Sequence, residues 1–238
     1  MKRLLLTTLI LCFSIISFSQ GFLWNDTIAK EFAESATRLE KTRASTSLPI
    51  SSSLEQYVPQ VYNQKGTNMC VAYALSVCRT ILYAKNKEYT RTHTIKENTF
   101  SPYFIYYHTV KTMENKCVKG LSPTSATKFM KESGVAKIIN VEYPKYYPFT
   151  NVRLCGGYPE NYNDDILSAQ SYKIDGWNWL IDKNEIKSEI NKGRSVCFSF
   201  PSTIPPSFNE PESDVWDPNA SVLCYGITQK GYACKRKV

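Results

Sequence analysis

Apolar residues recur at Val71, Ala74, Leu75, Cys78, Ile81 and Leu82, the i, i+3, i+4, i+7 stripe of an amphipathic helix. Gly66, Thr67 and Asn68 just upstream are loop formers. The pattern therefore predicts a helix that begins at or next to Cys70. Phe22, Ile28, Phe32, Ala36 and Leu39 predict another amphipathic helix over Gly21–Lys41. Ala44–Ser53 is rich in Ser and Thr, holds Pro49 and reads as a linker. Thr90–Thr99 reads as a polar loop. Asn184–Lys192 predicts a helix with Ile186 and Ile190 inward, stopped by Gly193. Ser195–Phe200 alternates and reads as a strand, as does Ser221–Gly226, and Gly231–Cys234 begins its hairpin partner. The first half is thus mostly helical and the second mostly strand. Two unlike lobes with a cleft between them follow.

The N-terminus adds a targeting segment. Lys2 and Arg3 precede Leu4–Phe18, which is apolar apart from Ser and Thr and too short to span a bilayer. Residues 1–20 read as a signal peptide, so the chain is expected to be exported: secreted, periplasmic or held at the cell surface. No later stretch has the length of a membrane span. Residues 21–53 form an N-terminal arm or a short propeptide, with the arm favoured, and 54–238 one domain of two lobes.

Charge changes this picture little. The 238 residues carry 29 Lys and Arg against 21 Asp and Glu, a formal net charge of +8. Apart from Lys235-Arg236-Lys237 the charge is dispersed, and no element carries a basic stripe interleaved with aromatics. A solvated basic surface is expected, not a nucleic-acid partner.

The candidate chemistry is the segment Gln64-Lys65-Gly66-Thr67-Asn68-Met69-Cys70. A cysteine at a helix N-terminus faces unpaired backbone N–H groups and the positive end of the dipole, which favour a thiolate. The Cys70 N–H and the Gln64 side-chain amide are two donors suited to an oxyanion beside the sulfur. The plain alternative is that Cys70 is a small buried hydrophobe. The order of segments downstream favours chemistry. Ser101-Pro102-Tyr103-Phe104-Ile105-Tyr106-Tyr107, then Gly120-Leu121-Ser122-Pro123 running to Gly134-Val135, then Glu142-Tyr143-Pro144 and Tyr147-Pro148-Phe149, follow the Gln–Cys segment. Together they resemble the papain family of cysteine peptidases, in its secreted bacterial form.

The resemblance implies an α+β, papain-like two-lobe fold, with a helical N-terminal lobe and an antiparallel β-rich C-terminal lobe. It implies Cys70 as nucleophile, Gln64 as the oxyanion-hole side chain and Gly120 as a substrate-backbone contact. Ser101 would cap the short helix that follows it. A strand is implied over Ala169–Ile174. The partner implied is a polypeptide substrate or peptide ligand, with no cofactor and no metal.

The family's general base is missing. A thiol peptidase needs a histidine to hold the thiolate and protonate the leaving amine, and an Asn or Asp behind it. Where relatives read Gly-His-Ala, this chain reads Asn219-Ala220-Ser221, and Asn219 or Ala220 stands at the histidine position. No Asn-Ser-Trp follows. The resemblance therefore implies a C-terminal part that is truncated or altered. The two histidines, His93 and His108, lie in the first half, and both are expected to be structural or solvated. The implied activity is papain-like peptide-bond hydrolysis, impaired or absent for want of a base. The alternative is a secreted, non-catalytic peptide-binding or inhibitory module.

Of eight cysteines, Cys12 falls in the signal segment. Cys78 lies on the apolar face of the helix and reads as a free core residue. Cys224 and Cys234 lie on proposed partner strands and would face each other. Export permits disulfides. Cys117 and Cys155 bracket the loops where papain relatives often place a bridge, so the resemblance pairs them.

Overall fold

The computed structural model describes residues 48–49, 51–62, 64, 67–111, 120–141, 162–180 and 183–198, with isolated positions between 27 and 38. Six helices are described: α1 (Cys70–Asn86), α2 (Thr92–Glu97), α3 (Pro102–Lys111), α4 (Pro123–Ser133), α5 (Tyr162–Ala169) and α6 (Lys183–Asn191). Two two-residue strands, β1 (Thr37–Arg38) and β2 (Asn178–Trp179), pair in parallel, Thr37 opposite Asn178. Among the described residues no helix is long and apolar enough to cross a membrane.

The apolar stripe of α1 packs on α3 and α4. The core so formed holds Met69–Tyr73 and Leu75 from α1 and its entry, Tyr103–Tyr106 and Val110 from α3, and Leu121, Ala126 and Met130 around α4. Aromatics dominate it. Tyr103, Phe104 and Tyr106 have no exposed surface, and each buried ring of this size removes a large apolar area from water.

Polar side chains set the helix ends. The Ser101 Oγ accepts from the Phe104 N–H at 3.1 Å, the cap expected at the start of α3. The Ser122 Oγ accepts from Ser125 N–H at the start of α4, where Pro123 takes N1. Ser122 is buried, so Ser122→Ala is expected to cost about 0.5–2 kcal/mol in a urea titration. An unchanged midpoint would show that this cap contributes nothing.

The far side of α1 is held by cations on rings. The Arg79 guanidinium lies 5.0 Å from the Phe100 ring centre, and the Lys137 ammonium lies 4.9 Å from that of Tyr172 and 5.2 Å from that of Tyr83. Tyr83, Phe100 and Tyr172 meet edge to face. Ser76 Oγ donates to Phe100 O at 2.7 Å, and Phe100 N–H donates to Thr80 Oγ1 at 3.1 Å. One turn of α1 thus fixes the backbone that enters α3.

Four expectations change. The helix expected over Gly21–Lys41 does not run through Thr37–Arg38, which pair as β1 with β2. Thr90–Thr99 is not a loop, because Thr92–Glu97 is helical; the single buried apolar residue, Ile95, gave no readable stripe. Residues 170–172 form a 3-10 turn rather than a strand, because Tyr172 is drawn into the aromatic cluster. Residues 195–198 are irregular rather than extended in a sheet. The helix expected before Gly193 is α6, and Gly193 takes φ +77° as its stop. The strands expected at 221–226 and 231–234 lie outside the described residues.

Candidate active site

Cys70 is the first residue of α1, and it follows Thr67, Asn68 and Met69, all buried. The entry turn explains the placement. Thr67 Oγ1 donates to Gln64 O at 2.7 Å, and Thr67 N–H reaches the same carbonyl at 3.4 Å. This closes a turn that feeds the chain into the helix, whose first bond runs from Tyr73 N–H to Met69 O.

Cys70 is 2% exposed. Burial pushes its pKa up to about 11, against a smaller downward pull from the backbone N–H groups of Val71 and Cys70 at the helix start. The helix terminus therefore acts in the expected direction, but desolvation exceeds it. A charge in an apolar core loses more hydration free energy than two peptide dipoles return. The Tyr106 hydroxyl lies within electrostatic reach of Cys70, and burial raises its pKa to about 12. The sequence pattern alone does not single out Tyr106, because it reads as one more apolar position of α3.

Gln64 sits at the head of the entry turn. Its Nε2 donates to Thr67 O at 3.2 Å, and its Oε1 is buried with no hydrogen-bond partner. A primary amide carries two N–H bonds, and one of them is committed to the turn. An orphaned buried carbonyl costs about 1–3 kcal/mol. Gly120 is buried immediately before Leu121 and the Ser122 cap. Asn219, Ala220, Cys117 and Cys155 lie outside the described residues, as do Cys224 and Cys234.

The histidines are placed differently from one another. His93 is on the exposed face of α2, with Nδ1 3.4 Å from the Glu97 carboxylate. His108 is buried on α3, its ring parallel to Phe129 at 5.6 Å and tilted on Phe104 at 4.3 Å. Its packing is part of the α3–α4 interface.

Cys78 is free and half-buried, two turns along α1 from Cys70. It is not a plain core residue, because it is only half-buried, Ser195 Oγ donates to its carbonyl at 3.1 Å, and its thiol interacts with that of Cys197. Nothing in the local sequence of either residue signals that pairing.

One structural comparison bears on the fold, and a second is weaker. The chain is similar in structure to xylellain, a cysteine protease from Xylella fastidiosa, with 20% identity and a TM-score of 0.54, over 76% of this chain and 65% of that one. It also matches procathepsin B S9 from Trypanosoma congolense, at 14% identity and a TM-score of 0.45, over 74% of this chain and 59% of that one. The chain thus spans just under two thirds of the xylellain structure. No protein-family model matches the sequence, and no curated protein matches it. The fold is papain-like, with the helical part described and Cys70 at the head of its central helix.

Proposed function

We propose that this chain is an exported papain-like cysteine peptidase by descent, in which Cys70 and Gln64 persist and hydrolysis is impaired. The observation that carries the reading is Cys70, the first residue of a buried helix in a papain-like fold. Impairment is supported by two facts. Its thiol is pushed up to about 11, so about one molecule in 10⁴ carries the thiolate at pH 7. The histidines of the chain are His93 and His108, and neither stands at the family's base position. A missing general acid–base residue lowers the rate about 10²–10⁴-fold.

The second reading, a module that holds peptides without cleaving them, is favoured by the same protonated thiol. In either reading residues 1–20 are a signal segment and 21–53 an arm. Pairing of Thr37–Arg38 with Asn178–Trp179 supports an arm that belongs to the fold.

Iodoacetamide labelling of Cys70 tests the reading, set beside hydrolysis of a fluorogenic peptide. The Cys70 rate is expected to be very low at pH 7 and to climb about tenfold per pH unit to pH 10 with no plateau. Turnover is expected at background, unchanged by Cys70→Ala. A plateau below neutrality, or turnover that Cys70→Ala removes, would show an active enzyme with a base elsewhere. Saturable peptide binding without cleavage would select the second reading.

A further inference from the structure

The segment after α6 runs back along α1. Lys85 Nζ donates to Lys192 O at 3.1 Å, and Ser195 Oγ donates to Cys78 O at 3.1 Å. Residue numbers rise along one element as they fall along the other. Two ion pairs hold the turn that starts this run. Glu189 is 4% exposed, and its carboxylate takes Lys192 Nζ at 2.8 Å and Arg194 Nη1 at 2.6 Å. Gly193 holds φ +77° between those two cations. The Ser195 hydroxyl on the Cys78 carbonyl brings Cys197, two residues further on, to the Cys78 turn of α1, where the two free thiols interact. Cys78 is half-buried and Cys197 is an exposed residue, so the pair lies at the protein surface.

We propose that Cys78 and Cys197 are a redox modification site, closed to an intramolecular disulfide by exchange with a small-molecule disulfide such as oxidised glutathione. The first step is attack by one protein thiolate on the external disulfide, which forms a mixed disulfide and releases one external thiol. The second protein thiolate then attacks the protein-side sulfur of that mixed disulfide and expels the second external thiol. Two protein thiols are oxidised, one external disulfide is reduced to two thiols, and two protons move from the protein sulfurs to the released thiolates. Interaction between the thiols draws Cys78 down and Cys197 up, so the pair shares its titration.

The site is independent of whether Cys70 cleaves peptides. Its effect is on the join between α1 and the segment that leaves α6. Cross-linking residues so far apart in sequence constrains the unfolded chain strongly, and a rise in Tm of about 5–15 °C is expected.

The test uses the whole chain incubated with glutathione disulfide, then blocked with iodoacetamide and digested with trypsin plus chymotrypsin. Cuts after Tyr73 and Arg79 separate Cys78 from Cys70, and cuts after Arg194 and Phe198 separate Cys197 from Cys224. The expected product is the Ala74–Arg79 peptide, or its Ser76–Arg79 part, linked to Ser195–Phe198. It should vanish on reduction and in Cys78→Ser and Cys197→Ser, and persist in Cys70→Ala. Oxidised protein should melt above reduced protein, and in Cys197→Ser that difference should disappear. Three results would overturn the proposal: Cys78 and Cys197 each capped separately by glutathione, either one linked to a different cysteine including Cys70, or both recovered as free thiols.

Discussion

Raising the pH from 8.5 to 11 is expected to remove about 5 kcal/mol of folding stability, the lower end of an ordinary domain's whole stability. Three buried acids carry the effect: Cys70, Tyr106 and Tyr103, at 2%, 0% and 0% exposure. Burial raises Cys70 to about 11 and Tyr106 to about 12. Tyr103 is raised well above the usual phenol range, by burial and by the neighbouring Tyr107. In the unfolded chain these groups lose their protons near 8.5 for the thiol and 10 for the phenols. Between those values and the folded ones, the unfolded state binds fewer protons than the native state, so stability falls as pH rises. It is fully present below about pH 8.5. Cys70 alone gives a slope near 1.4 kcal/mol per pH unit, and all three together give about 3 near pH 10.5.

Urea titrations at pH 7, 9, 10 and 11 measure the slope. Tyr106→Phe should reduce it above pH 10 by about one third. Absorbance near 295 nm supplies an independent reading, because buried phenols should ionise only as the chain unfolds. A stability that stays flat to pH 11 would refute the assignment. So would ionisation of all 16 tyrosines near pH 10 in protein that remains folded.

Gly134→Ala is expected to destabilise the protein by about 3–5 kcal/mol. Gly134 ends α4 at φ +83° and ψ −168°, a region open essentially to glycine alone. Space is lacking as well as torsional freedom. A Cβ at Gly134 would sit 1.9 Å from Ala169 O and 2.7 Å from Ala169 C. Both are backbone atoms at the buried end of α5, so no rotamer change relieves the clash. The end of α5 would have to move, and Tyr172 just beyond it would leave the ring cluster around Phe100. Gly176→Ala is the control, since a Cβ there meets nothing within 4 Å. That change should stay within about 0.5 kcal/mol. Equal urea midpoints for the two variants would show that the α4–α5 approach is looser than the geometry states.

The helices with a strong local code were legible in the residues. α1 begins at Cys70 because a loop of Gly66, Thr67 and Asn68 meets a 3.6-period stripe, and both signals lie within a few residues. The Ser101 and Ser122 caps and the Gly134 and Gly193 stops are also local chemistry, a hydroxyl before a helix and a glycine after one. The position of Cys70 at a helix start was therefore set by the sequence alone.

What that position means for the thiol was decided by tertiary structure. The helix terminus is a local feature and pulls the thiol's pKa down. The solvent around it depends on α3 and α4 closing over it, and that burial outweighs the dipole and raises the pKa to about 11. The 170–172 turn belongs to the same class, for the resemblance implies a strand there and the structure instead packs Tyr172 onto Tyr83 and Phe100. So does the meeting of Cys78 with Cys197. No periodicity or spacing encodes it, because it depends on a return of the chain across α1 that Glu189, Gly193 and Ser195 arrange only once the helices are packed.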